Sequence, residues 1–195
     1  ALSFVAANWA AIPRLTRVVM LFSLIAAGYV GGALLRLRGH PALGDAAWIV
    51  AAAAFGASIA LIGQMYHLLG DEKQAIFIWS AATALAAAAL RSSPLTIGAS
   101  MLAAAWMLAY PLERWSAYDM PLTYPLAVVA LYALSFWTDS RASRHILVLS
   151  LLLYVFVYYW RDEAFIVPVA LITASAALFA FARMKPDVAG RVLGL

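Results

Sequence analysis

The sequence predicts an all-α, polytopic transmembrane helical bundle of seven spans, preceded by an eighth span that is cut short at the start of the chain. Three observations predict it. Of the 195 residues 66% are apolar and only 11% charged, with a mean hydropathy of +0.91, a balance that excludes an ordinary soluble fold. The charges fall in short clusters, and the charge-free runs between them are long enough for a helix to cross a hydrocarbon core of about 30 Å. Runs such as Ala51-Ala52-Ala53-Ala54 and Ala86-Ala87-Ala88-Ala89 lack the alternation of a barrel strand, so each segment must satisfy its backbone as a helix.

The predicted spans are about 1–13, 18–35, 46–69, 75–90, 94–110, 121–138, 145–160 and 164–182, together one transmembrane domain over 1–182, with a tail over 183–195. The first has only thirteen residues before Arg14 and opens at Ala1, which is expected of a truncated helix. Gly39-His40-Pro41, Gly70, Ser92-Ser93-Pro94, Pro111 and Pro121 mark the turns. Pro125 and Pro168 fall in the first turn or so of their spans, where a missing N–H costs least. The span over 145–160 fills the shortest charge-free run of the seven and needs local thinning or its aromatic ends to reach across. Short connections predict antiparallel neighbours, and the chain shows no internal sequence repeat of the kind that builds inverted halves.

Counting Lys and Arg by loop parity puts five on one side (Arg14, Arg17, Lys73, Arg114, Arg161) and eight on the other (Arg36, Arg38, Arg91, Arg141, Arg144, Arg183, Lys185, Arg191). The excess places the C-terminus in the cytoplasm, with Arg14 and Arg17 as the discordant pair. This explains a formal charge of +4 without nucleic acid, since the bases are scattered singly. No cysteine is present, which removes disulfides and thiolate-held clusters. There is no H-E-x-x-H, no phosphate-binding loop followed by lysine and no pair of histidines within the spans at one depth, so no metal and no cofactor is expected. Small residues beside Ser58 and Ser100 read as helix contacts, and an enzyme ranks behind the non-catalytic classes.

Two patterns on the third run stand out. Ala52, Gly56 and Ala60 recur every four residues and form a smooth strip for helix packing. Gln64, His67 and Asp71, spaced by three and four, project from one side near the outward end. An imidazole that titrates near neutrality, an amide that donates and accepts, and a carboxylate together suit an ion, a proton or a polar ligand. The weightier alternative is an interfacial turn satisfied by backbone, water and headgroups, with Tyr66 and Trp79 as aromatic anchors.

The stretch Phe55-Gly56-Ala57-Ser58-Ile59-Ala60-Leu61-Ile62-Gly63-Gln64-Met65-Tyr66-His67-Leu68-Leu69-Gly70-Asp71, followed by Trp79 and Arg91-Ser92, resembles the signature of a bacterial membrane family, the domain of unknown function 2157. Ala7-Asn8-Trp9 with Ile12-Pro13 resembles that family's second marker. The resemblance covers about the first half of the chain. It implies a multi-pass protein of the bacterial inner (cytoplasmic) membrane without an assigned reaction, and it marks Asn8, Trp9, Gln64, Tyr66, His67, Asp71 and Trp79 as candidate ligand-binding residues. Two functional classes follow: binding or transport of an ion or small polar solute at an outward-side site, and an accessory or structural subunit docking on another membrane protein or on its own copies. The lipid bilayer is the expected partner of both.

Overall fold

The structure is a computed structural model and describes residues 12–66, 71–113 and 123–159, with the single residue Ile172. Six helices form there: α1 (Arg14–Leu37), α2 (Pro41–Tyr66), α3 (Glu72–Leu90), α4 (Ser93–Glu113), α5 (Tyr124–Trp137) and α6 (Arg141–Tyr159). Alanine and leucine fill them, Pro41 opens α2, Asp71 caps α3, and Pro125 sits in the first turn of α5.

The helices run past the charge-free limits. α1 absorbs Arg17 and Arg36, and α4 continues through Pro111, where the turn chemistry predicts a boundary. Four helices are long and apolar enough to cross a membrane: Leu15–Leu37, Pro41–Met65, Glu72–Leu90 and Ser93–Tyr110. The expected seven are thus not reached among the described residues. α5 has only 14 residues, about 21 Å of helix, and α6 opens on Arg141, Arg144 and His145, so its first turn is polar. The segment 1–11 and the segment expected to span at 164–182, apart from Ile172, lie outside the described residues.

α1 packs along α2 and α3 along α4, while α4 sits at the centre and also meets α2, α5 and α6. The main core joins Ala103, Trp106 and Met107 of α4 to Tyr124, Val128 and Leu131 of α5 and to Leu147 and Tyr154 of α6. Large apolar side chains such as Phe22, Leu24, Leu85 and Leu126 point outward, as lipid-facing helices require.

α1 and α2 interlock through glycines. Gly32 faces the Trp48 ring so closely that a Cβ there would lie 2.5 Å from the indole, and Gly28 meets Ala51. The Trp48 Nε1 donates to the Tyr29 carbonyl at 3.0 Å. At the end of this hairpin Arg36 pairs with Asp45 at 2.7 Å and stacks over Trp48 at 5.0 Å, its stem running across Gly44.

One corner recurs three times at the same end of the bundle. α1, α3 and α5 each finish on a residue with positive φ, Gly39 (82°), Arg91 (49°) and Asp139 (50°). The following amide bonds back five residues: His40 to Leu35 at 2.9 Å, Ser92 to Ala87 at 3.1 Å, Ser140 to Ser135 at 2.8 Å. This is the Schellman closure. The carbonyls of His40, Ser92 and Ser140 then accept the first helical bonds of α2, α4 and α6, from Gly44, Thr96 and Arg144. A single residue therefore ends one helix and starts the next, which turns the chain back on itself without a loop.

Candidate functional site

The polar stripe lies at the end of the bundle opposite those corners. Gln64 is in the last turn of α2 and exposed; Tyr66 closes that helix. Asp71 is exposed and caps α3, its Oδ1 accepting the Lys73 amide at 2.9 Å, as the high demand for acceptors at a helix start favours. Glu72 follows in the first turn. Lys73 reaches over the Tyr110 ring at 4.7 Å and links α3 to α4. His67, Asn8 and Trp9 lie outside the described residues.

Trp79 stands two turns deeper. Its indole rests on Gly56, where a Cβ would run into the ring, and its Nε1 donates to the Ala52 carbonyl at 2.8 Å. Ala52 and Gly56 are buried and Ala60 is exposed, so the four-residue strip carries packing over its first two positions. The indole has one polar atom, and it is committed to the backbone of α2 rather than turned toward Gln64.

A second polar region has no counterpart among the sites expected from the sequence. Thr96 and Ser100 share one face of α4, Ser92 immediately precedes that helix, and all three are buried. Thr138, Ser140 and Ser143, in the α5–α6 corner and the first turn of α6, are also buried, and two of them meet Thr96 and Ser100. Thr96 Oγ1 donates to Thr138 Oγ1 at 2.8 Å, and the Ser100 and Ser143 hydroxyls share a short hydrogen bond. Two hydroxyls also bond backbone carbonyls one turn earlier, Ser100 that of Thr96 and Thr138 that of Leu134, and the single Thr96 proton has the Ser92 carbonyl at 2.9 Å as its alternative acceptor. The Ser92 and Ser140 hydroxyls, at 1% and 0% residue exposure, have no hydrogen-bond partner among the described residues. Trp137 donates to the Ala88 carbonyl at 3.2 Å and lies under Arg91 at 4.3 Å, which holds the α3–α4 and α5–α6 corners side by side. The available signal is the four-residue spacing of hydroxyls on α4; which face they meet is a tertiary fact.

Between α2, α3 and α4 an apolar groove of about 310 Å³ opens over Trp79, Thr83 and Gly98. Among the described residues no group of three or more His, Asp or Glu side chains is gathered as a metal site would need.

Residues 1–96 match the family described as predicted membrane protein (DUF2157). No curated protein and no solved structure matches the chain. The match ends within α4, so it takes in the Gln64–Asp71 stripe and the Trp79 seat but only the first part of the hydroxyl cluster. Over residues 1–96, the chain belongs to the DUF2157 family of predicted membrane proteins.

Proposed function

We propose that the protein binds, and carries across the bacterial cytoplasmic membrane, an ion or small polar solute. The observation that supports this reading best is the buried hydroxyl cluster of α4, α5 and α6. Polar groups withdrawn from both water and lipid cost free energy unless they are paired, and the hydroxyls of Ser92 and Ser140 have no partner among the described residues. In this reading Gln64, His67, Asp71, Tyr66, Asn8, Trp9 and Trp79 form the outward site suggested by their spacing and by the family resemblance, and the hydroxyl cluster lies on the inward route. The remaining spans expected from the sequence complete the bundle around them, with the tail over 183–195 in the cytoplasm.

The full chain in sealed vesicles tests this. Flux or equilibrium binding of small labelled ions and polar solutes should appear with the protein, and fall in Ser100→Ala, Ser143→Ala and Gln64→Ala. Unchanged uptake in all three, with the fold retained by circular dichroism, would remove the reading.

A second reading, an accessory subunit, is favoured by one surface of α2. Ala46, Val50, Ala53, Ala57, Ala60 and Gln64 repeat at heptad spacing and all are exposed. Extraction under mild conditions that yields a stoichiometric protein companion would support it over transport.

A further inference from the structure

We propose that the outer face of α5 seats an anionic phospholipid, its phosphate held by the Arg91 and Arg144 guanidiniums and an acyl chain lying along Leu126, Val129 and Ala133. Such a lipid is held whether or not any solute crosses. Phe136 and Trp137 are consecutive, so they project about 100° apart at the end of α5, and both rings are exposed. Each carries a guanidinium brought by a different neighbouring helix: Arg91, the C-cap of α3, lies 4.3 Å over Trp137, and Arg144, in the first turn of α6, lies 4.7 Å over Phe136. The Trp137 Nε1 is tied to the Ala88 carbonyl of α3 at 3.2 Å, and Phe136 meets Tyr132 edge-on at 5.3 Å, which fixes both rings. Ala133, three residues before one ring and four before the other, sits between them one turn deeper, and Ala130, Val129 and Leu126 continue that face; all four are exposed. The result is an apolar floor of small residues at its charged end, flanked there by two aromatic–arginine pairs.

Charge complementarity selects the occupant. A guanidinium lying over a ring keeps its planar N–H fork for phosphate oxygens, which it can bind in bidentate fashion. Among the described residues no carboxylate pairs with Arg91, and Arg144 has Asp139 at 3.8 Å, whose side chain is 89% exposed. α5 is also short, 14 residues or about 21 Å against a hydrocarbon core of about 30 Å, and a headgroup bound at its end draws the bilayer surface toward that short face. A second copy is a poorer fit, because rotation about the membrane normal would set Arg91 and Arg144 of one copy against the same guanidiniums of the other.

The test uses the full chain in detergent, with dioleoylphosphatidylglycerol as the anionic probe and dioleoylphosphatidylcholine as its zwitterionic counterpart. Native mass spectrometry should show the anionic lipid binding about tenfold more tightly, and Tm should rise with it. Arg91→Gln and Arg144→Gln should each lower that affinity about fivefold, the contribution of one basic side chain beside an anionic lipid. Ala133→Trp, which fills the exposed floor and leaves both guanidiniums in place, should lower it too. Arg38→Gln, exposed at the same end but on the α1–α2 corner, should leave it unchanged. Equal affinity for the two lipids in the unaltered chain, a result that needs no variant to fold, overturns the proposal. So does a loss in Arg38→Gln as large as in Arg91→Gln, which would make the preference a property of the whole charged end. If glycerol phosphate raises Tm as much as the lipid does, the site takes a free phosphate and the acyl seat fails. If Ala133→Cys crosslinks in the membrane to a second copy, or to a cysteine introduced over 164–182, a helix covers the face and no lipid sits there.

Discussion

At the scale of single residues, the three corners assign opposite signs to similar substitutions. Gly39 has φ +82° and nothing within 4 Å of the place a methyl would take, so Gly39→Ala is opposed by backbone conformation alone and should cost about 1 kcal/mol. Asp139 occupies the corresponding position at φ 50° with a side chain, and its contact with Arg144 is long and solvent-exposed. Asp139→Gly should therefore stabilise the protein, by up to about 1 kcal/mol. Thermal unfolding in detergent, followed by circular dichroism, checks both; two shifts of the same sign would show that the corners do not govern stability. Arg91 is the less suitable probe, because its guanidinium also covers Trp137.

At the scale of helices, contact rather than glycine content decides the outcome, and adjacent glycines separate the two. A methyl on Gly31 of α1 meets nothing within 4 Å, whereas one on Gly32 runs into Trp48 and the Gly44 carbonyl. Gly31→Ala should be neutral or stabilising through helix propensity, and Gly32→Ala should cost about 1–3 kcal/mol by overpacking. On α2 the same contrast holds between Gly63, which is open, and Gly56, which seats Trp79. Equal unfolding midpoints within each pair would refute the interlock. These contacts also mark how far the fold is legible in the sequence. Charge-free runs locate the cores of α1 to α4, because the bilayer imposes a length that composition can meet. Helix ends are less legible, since Arg17 and Arg36 remain helical while their heads find carbonyl and carboxylate partners. The packing role of Ala52 and Gly56 is visible in their spacing, yet the occupant of that strip is not: a tryptophan at position 79 reads equally as a membrane anchor. Gly28 and Gly32, spaced by four, carry an equally legible signal for the α1–α2 interlock, which is missed when the strip on α2 alone is read. The convergence of Thr96 on Thr138 and of Ser100 on Ser143 cannot be read at all, because spacing along one helix does not say which helix faces it.

At the scale of the whole molecule, the corners set which groups share an end. His40, Arg91 and Asp139 must lie together, and Gln64 and Asp71 must lie at the other end, because α1 to α6 reverse direction at each connection. The bases gathered with the corners (Arg36, Arg38, Arg91, Arg141 and Arg144) outnumber those of the described segments at the Lys73 end, and the orientation we propose, with the corner end in the cytoplasm, follows that positive-inside bias. In that proposed orientation the buried hydroxyls of Thr96, Ser100, Thr138 and Ser143 lie toward the cytoplasm and the Gln64–Asp71 stripe lies outward, so a transported solute would meet them in turn. The absence of cysteine makes this directly measurable, since each introduced thiol is unique. In intact cells, Gln64→Cys and Asp71→Cys should react with a membrane-impermeant maleimide. His40→Cys and Asp139→Cys should react only after permeabilisation. Reversal of the whole pattern would invert the orientation and leave the fold intact, whereas labelling of His40→Cys and Asp139→Cys from different sides would break the topology itself, because no arrangement of the three corners places them on opposite faces of the bilayer.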